Sequence, residues 1–219
     1  MYNIGEMPIN VGDFRPINMD KYRSDRNKFL PADEQISWEQ VKTEYEVIQC
    51  PSRGTTMSAG YDFVAPFDIT VGSFGDGNKI AVPTGIRWVP NLELQRSRNF
   101  VLSIYPRSST GCKKGLVLAN GTGIIDADYY MSENDGDIIA ILTLNNLTGT
   151  PARKRDADTV LWKAGEYFIQ GIFTECFHVS NDCIRSKNRT GGFGSTTYPS
   201  KEPDTSKLDL SASKYLRRL

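Results

Sequence analysis

The sequence holds a single histidine, His178, among 219 residues. One candidate does not furnish a Ser-His-Asp triad, a His-rich zinc site or a histidine general base, so acid–base chemistry falls to carboxylates. Cysteine is also scarce. Cys50, Cys112, Cys176 and Cys183 come without a secretion signal and read as reduced thiols. Cys176, His178 and Cys183 offer three metal ligands at most, in a spacing that matches no common zinc pattern. There is no excess of either charge, with 26 Lys+Arg against 26 Asp+Glu, so no global field draws the chain to nucleic acid or an anionic membrane. No direct nucleic-acid partner is expected. No apolar run approaches the length of a membrane span. The first residues, Met1-Tyr2-Asn3-Ile4-Gly5-Glu6, lack a basic-then-apolar leader, and a cytoplasmic location is expected.

What is present is a β-rich texture from about Tyr45 to Thr197. Short apolar runs predict strands at Tyr45–Ile48, Ile80–Val82, Ile86–Val89, Phe100–Tyr105, Ile138–Leu144, Thr159–Trp162 and Tyr167–Phe173. Turn formers separate them, as at Gly75-Asp76-Gly77-Asn78, Pro90-Asn91 and Asn145-Asn146. No long helical period runs through this stretch, so a compact all-β barrel or sandwich is expected. The length suits one core. Residues 1–44 are polar and proline-punctuated, with one short helix predicted from Pro31 to about Lys42. The tail 198–219 is rich in Lys, Ser and Asp. Both ends read as additions to the core.

Five segments carry groups suited to a nucleotide. Ser58-Ala59-Gly60-Tyr61-Asp62 turns at a glycine and presents a carboxylate. Pro106-Arg107-Ser108-Ser109-Thr110-Gly111 gathers a guanidinium and three hydroxyls, which suits an oxyanion. The stretch from Asn120 through Gly121, Gly123 and Asp126 to Tyr129 reads as a β-hairpin with an amide, two acids and an aromatic. Gly165–Gly171 carries the amide of Gln170 in an otherwise apolar strand. Arg189-Thr190-Gly191-Gly192-Phe193-Gly194-Ser195-Thr196-Thr197 combines a guanidinium, hydroxyls and free-bending glycines with one flat ring. Singly, each has a plainer reading. Asp62 or Asp128 caps a turn, Arg107 forms a structural ion pair, and Gln170 satisfies a backbone group.

In this order the five segments closely resemble the five motifs of the trimeric dUTPases, and Val82-Pro83-Thr84-Gly85-Ile86 resembles a further strand of that family. The resemblance spans about residues 45–197. It implies a jelly-roll (β-clip) homotrimer closed by a C-terminal lid at about 186–197. The activity implied is Mg²⁺-dependent hydrolysis of dUTP to dUMP and pyrophosphate, which limits uracil in DNA and supplies dUMP. Asp126 stands where the family's general base stands, and Asp62 resembles the acid that holds Mg²⁺ through water. Arg107, Ser108, Ser109, Gln170 and Arg189 would face the phosphates. Asn120, Gly123 and Ile125 would read the uracil edge, Tyr129 would stack on the deoxyribose, and Phe193, with Gly194 and Ser195, would close over the base.

Two departures concern surfaces more than chemistry. Tyr130–Asp137 replaces the Arg-Gly-Glu that many members carry after the tyrosine, and 145–158 reads as an insertion. The insertion and the two extensions are candidate surfaces for a protein partner. Alternatives within the same fold are a dCTP deaminase, a bifunctional enzyme, or a regulatory protein that binds partners through its insert. The deaminase requires a glutamate placed at the base, where this chain offers Asp126 and Tyr129.

Overall fold

The structure, a computed structural model, describes residues 9–70, 79–144 and 160–180. Along the chain run β1 (Gly12–Pro16), α1 (Met19–Lys28), α2 (Trp38–Val47), β2 (Ser52–Arg53), β3 (Tyr61–Val64), β4 (Ile69–Thr70), β5 (Lys79–Pro83) and β6 (Ile86–Pro90). Then follow α3 (Leu92–Ser97), β7 (Asn99–Pro106), α4 (Ser108–Lys114), β8 (Leu116–Leu118), β9 (Gly123–Ile125), a 3₁₀ turn at Tyr129–Met131, β10 (Ile139–Leu144), β11 (Val160–Trp162) and β12 (Tyr167–Cys176). Strands dominate, as expected for an all-β jelly roll. The largest sheet has the order β2-β3-β12-β7-β9, and a second has β5-β10-β8. Pairs β1-β6 and β11-β4 complete the strand pairing among the described residues.

Alternation builds the core. On β7, Phe100, Leu102 and Ile104 point inward, and they meet Phe63, Phe168, Trp88 and Trp162 in one cluster. Burying each such side chain contributes about 1.5–3 kcal/mol. Gly171 on β12 keeps the sheet close to this core, because a Cβ there would stand 2.8 Å from Leu102 Cδ1.

The N-terminal segment shares that core. β1 pairs antiparallel with β6, and the Phe14 ring lies 5.4 Å from Tyr61, 5.6 Å from Phe63 and 5.7 Å from Phe173. A second cluster of Ile17, Tyr22, Ile36 and Val41 holds α1 against α2. Beside it, Arg26 grips the Glu44 carboxylate with both Nε (2.8 Å) and Nη2 (2.9 Å), and Tyr22 donates to the same carboxylate at 2.7 Å. Burial, with Glu44 adding to it, raises the pKa of the Tyr22 hydroxyl, so it stays a donor.

Three expectations need correction. The helix predicted from Pro31 begins only at Trp38, where Ser37 and Gln40 form a capping box: Ser37 Oγ accepts from the Gln40 N–H (3.2 Å) and Gln40 Oε1 from the Ser37 N–H (2.8 Å). That helix continues to Val47, so most of the predicted strand Tyr45–Ile48 is helical, and α1 is a further helix the apolar pattern did not announce. The hairpin expected over 120–129 does not form. The Gly121 N–H bonds Leu118 O (2.9 Å) at a φ of 75°, and the chain then changes sheets: β8 pairs with β10, whereas β9 pairs with β7. The predicted turns at 75–78 and 145–146 lie outside the described residues.

Candidate active site

β12 lies between β3 and β7, in a register that sets Gln170 opposite both Asp62 and Tyr105. Directly opposed residues share a face, so Asp62, Gln170 and Tyr105 form a polar row across the sheet, on the face opposite Phe63 and Ile169. Three motifs distant in sequence thus converge at one sheet end. Gly60 makes room for the row, since a Cβ there would meet Gln170 Oε1 at 2.5 Å. One residue beyond β7, Arg107 Nε lies 2.9 Å from Asp62 Oδ1, with the guanidinium 5.3 Å from the centre of the Tyr167 ring. The Arg107 side chain is 33% exposed and that of Asp62 15%, so the pair borders solvent without being fully hydrated. Gln170 Nε2 donates to Pro106 O at 3.4 Å. The plainer readings of Arg107 and Gln170 are therefore realised, an ion pair and a backbone contact, yet both groups stand side by side at an accessible edge.

Ser108 and Ser109 open α4, where first-turn N–H groups lack helical acceptors and favour negative charge. The helix is pinned underneath. Thr110, fully buried, donates from Oγ1 to Phe168 O at 2.7 Å, and Gly115 ends the helix in the left-handed conformation. Neither Thr110 nor Gly60 signalled these duties in sequence, because both depend on the strand register.

The other predicted residues sit elsewhere. Gly123 lies against Ile104, where a Cβ would approach to 3.1 Å, and Ile125 packs on the core beside Leu102. Asn120, Asp126 and Asp128 are exposed. Tyr129 is buried at 5% exposure, and its hydroxyl donates to Asp137 O at 2.9 Å. Asp126 continues β9 to the level of Val101, whereas Asp62 is level with Tyr105 three strands away. At about 3.3 Å per residue and about 4.8 Å between strands, the two carboxylates are roughly 20 Å apart in one chain. The structure thus brings together Asp62, Arg107, Ser108, Ser109 and Gln170, and leaves Asn120, Gly123, Ile125 and Asp126 as a separate group. Arg189, Phe193, Gly194 and Ser195 lie outside the described residues, as does 145–158.

A β-protein with a guanidinium, an amide, serine hydroxyls and one carboxylate at a sheet end has the groups of a polyphosphate-handling enzyme. The dUTPase family model matches residues 46–150. Over 161 residues the chain is 38% identical to a deoxyuridine 5'-triphosphate nucleotidohydrolase of Lactococcus lactis subsp. lactis, covering 72% of this chain and 95% of that relative. A relative of the same designation from Paraburkholderia phymatum is 31% identical over 68% of this chain and 88% of its own. The crystal structure of a dUTPase from Streptococcus mutans superposes with a TM-score of 0.47 at 32% identity, over 61% of this chain and 90% of that one. The chain belongs to the dUTPase family.

Proposed function

We propose that this chain hydrolyses dUTP to dUMP and pyrophosphate, with water attacking the α-phosphorus. Family membership supports the reaction, and the cluster of Asp62, Gln170 and the adjoining Arg107 carries the reading at the level of chemistry. In the attack, the water oxygen bonds to the α-phosphorus, the bond to the bridging oxygen breaks, and pyrophosphate leaves with the electron pair. Asp126 takes the water's proton. Arg107 and Gln170 bind oxygens of the phosphate chain, and Ser108 and Ser109 donate to the charge that develops at the leaving group. Asn120 and the backbone around Gly123 and Ile125 read the uracil edge, rejecting cytosine because its amine would leave polar groups unpaired. Arg189 and Phe193, with Gly194 and Ser195, close the site over the γ-phosphate and the base.

Among the described residues no three His, Cys, Asp or Glu side chains cluster as a metal cage. A single hard carboxylate oxygen at Asp62 suits Mg²⁺, which binds through phosphates and waters with one or two protein carboxylates. Asp62 would hold it, through water. When bound, Mg²⁺ neutralises phosphate charge.

No one chain brings Asp126 near Asp62, so we propose that a second copy supplies Asp126 to each phosphate cluster, within a closed homotrimer. We keep the insertion at 145–158, the lid at 186–197 and the tail 198–219 as our division of the chain, with β1 joined to the core expected at 45–197 rather than added to it, and propose the insert and extensions as surfaces for a protein partner. A cytoplasmic location agrees with Cys50, Cys112 and Cys176 being free thiols. No described helix is long and apolar enough to cross a membrane.

Pyrophosphate release from dUTP, dCTP, dTTP and UTP with Mg²⁺ tests the reading. Turnover of dUTP alone, reduced by at least about 100-fold in Asp126→Asn, is expected. Turnover of none of the four would leave the motifs as a binding scaffold, and an unimpaired variant would remove Asp126 from its role.

A further inference from the structure

Helix α1 and the loop between the 3₁₀ turn and β10 are joined by a chain of polar contacts that the proposed mechanism does not use. The Lys21 ammonium donates to Glu133 O at 2.7 Å, and the Asn18 N–H to Asp135 Oδ2 at 3.2 Å. Arg87, from β6, forms an ion pair with the Asp135 carboxylate. At the base of the loop Asp137 is fully buried. Its Oδ1 accepts from the Gly85 N–H at 2.9 Å, and its Oδ2 is sealed from solvent beside the Asp25 carboxyl of α1. Asp25 Oδ2 is equally sealed. Two carboxylates cannot hydrogen-bond to each other as anions, so a single proton between them satisfies both orphaned oxygens at once.

The loop ends on Tyr129. The Tyr129 hydroxyl donates to Asp137 O and accepts from Asn134 Nδ2 at 3.0 Å, while the Ser132 hydroxyl donates to Tyr129 O at 2.6 Å. Gly136, at a φ of 76°, lets the loop lie against Tyr130, whose Cα would be 2.6 Å from any Cβ placed there. The Tyr129 hydroxyl is thus bonded to this loop at Asn134 and Asp137, and the loop is fastened to α1 at Asp25.

We propose that Asp25 and Asp137 share one proton in a buried clasp, and that this clasp positions Tyr129 against the sugar and so sets discrimination between deoxyribo- and ribonucleotide. Asp25 and Asp137 are positioning residues acting through Tyr129, and the inference rests on the reading that Tyr129 faces the deoxyribose. The charged and titratable groups around the clasp are Lys21 and Lys28 on α1 with Asp25, and Tyr22 with Asp137; Thr84 adds a hydroxyl beside Asp137. Burial raises both acids, in keeping with a retained proton.

The test is the ratio of kcat/KM for dUTP to that for UTP, in the full chain with Mg²⁺, alongside circular dichroism and inhibition by pyrophosphate. In Asp25→Ala the ratio should fall about 10- to 100-fold, the effect of a small misplacement at the reacting site, while pyrophosphate inhibition holds. Asp25→Asn keeps a donor to Asp137 and should restore the ratio. Tyr129→Phe, which leaves α1 untouched, should lower it like Asp25→Ala. A folded Asp25→Ala enzyme with the wild-type ratio overturns the clasp, as does Asp25→Asn failing as badly as alanine. If Asp25→Ala does not fold, a wild-type ratio in Tyr129→Phe overturns it instead. Tyr129→Ala separates the two levels. If it keeps the ratio, Tyr129 does not read the sugar and the underlying reading falls with the inference. If it loses the ratio while Asp25→Ala keeps it, the clasp alone is wrong.

Discussion

At Gly60 the missing side chain is what the site needs. A methyl group there would push the Gln170 amide aside, and because that amide is the far end of a flexible side chain, the fold would yield little. Gly60→Ala should therefore keep a melting temperature near wild type yet lower kcat/KM for dUTP by about 10-fold or more, read from initial rates across substrate concentration. An unchanged kcat/KM would mean that Gln170 does not contact substrate. Asp25 gives a second prediction. Burial lifts its pKa from an ordinary 3.8 to about 6 and moves Asp137 in the same direction. The folded chain thus holds a proton that the unfolded chain has released, so stability is lost as pH rises through roughly 4 to 6 and beyond. Thermal unfolding across that window should show a decline in wild type that is shallower in Asp25→Asn. Equal slopes would mean that Asp25 releases its proton near the ordinary value. In the sequence Asp25 was one more acid in a polar segment, because nothing local says that Asp137 lies beside it.

Among the elements, α2 illustrates what the sequence made legible and what it hid. Ser37 and Gln40 stand in the S-x-x-Q spacing of a capping box, so the true start was readable, but the proline at 31 drew the reading seven residues too early (Pro31 against Trp38). Ser37→Ala should cost about 0.5–2 kcal/mol, measured by denaturant unfolding with the slope unchanged; no loss would mean that the box contributes nothing. Strands of clear alternation, such as β7, were legible within a residue at each end. The sheet change between β8 and β9 was not, since two short apolar runs around a glycine turn look alike whether they pair with each other or with different partners. Residue types at the candidate site were visible from spacing, but the row of Asp62, Gln170 and Tyr105 exists only through register. Phe14 shows the same limit. Its place among three rings came from a segment that composition alone set apart from the core.

Over the whole molecule, the roughly 20 Å between the Asp62 and Asp126 positions means that an Asp126 serving the phosphate cluster would have to come from another copy. If copies share sites, an Asp126→Asn enzyme and a Gln170→Ala enzyme, each nearly inactive, complement one another when refolded together. Random mixing in equal amounts restores about a quarter of the sites in such an assembly. Activity no greater than the sum of the parts would argue that each chain works alone. The β1-β6 pairing has a consequence in time. Its partners, from Pro16 with Ile86 to Gly12 with Pro90, stand 70 to 78 residues apart by subtraction of their numbers. At ribosomal rates β1 waits roughly 4–16 s before its partner exists. Tyr61 and Phe63 are made before that partner strand and Phe173 only well after it, so the ring cluster around Phe14 closes last and the nascent chain carries an unclosed seam whose protection rests with whatever holds new polypeptides in the cell.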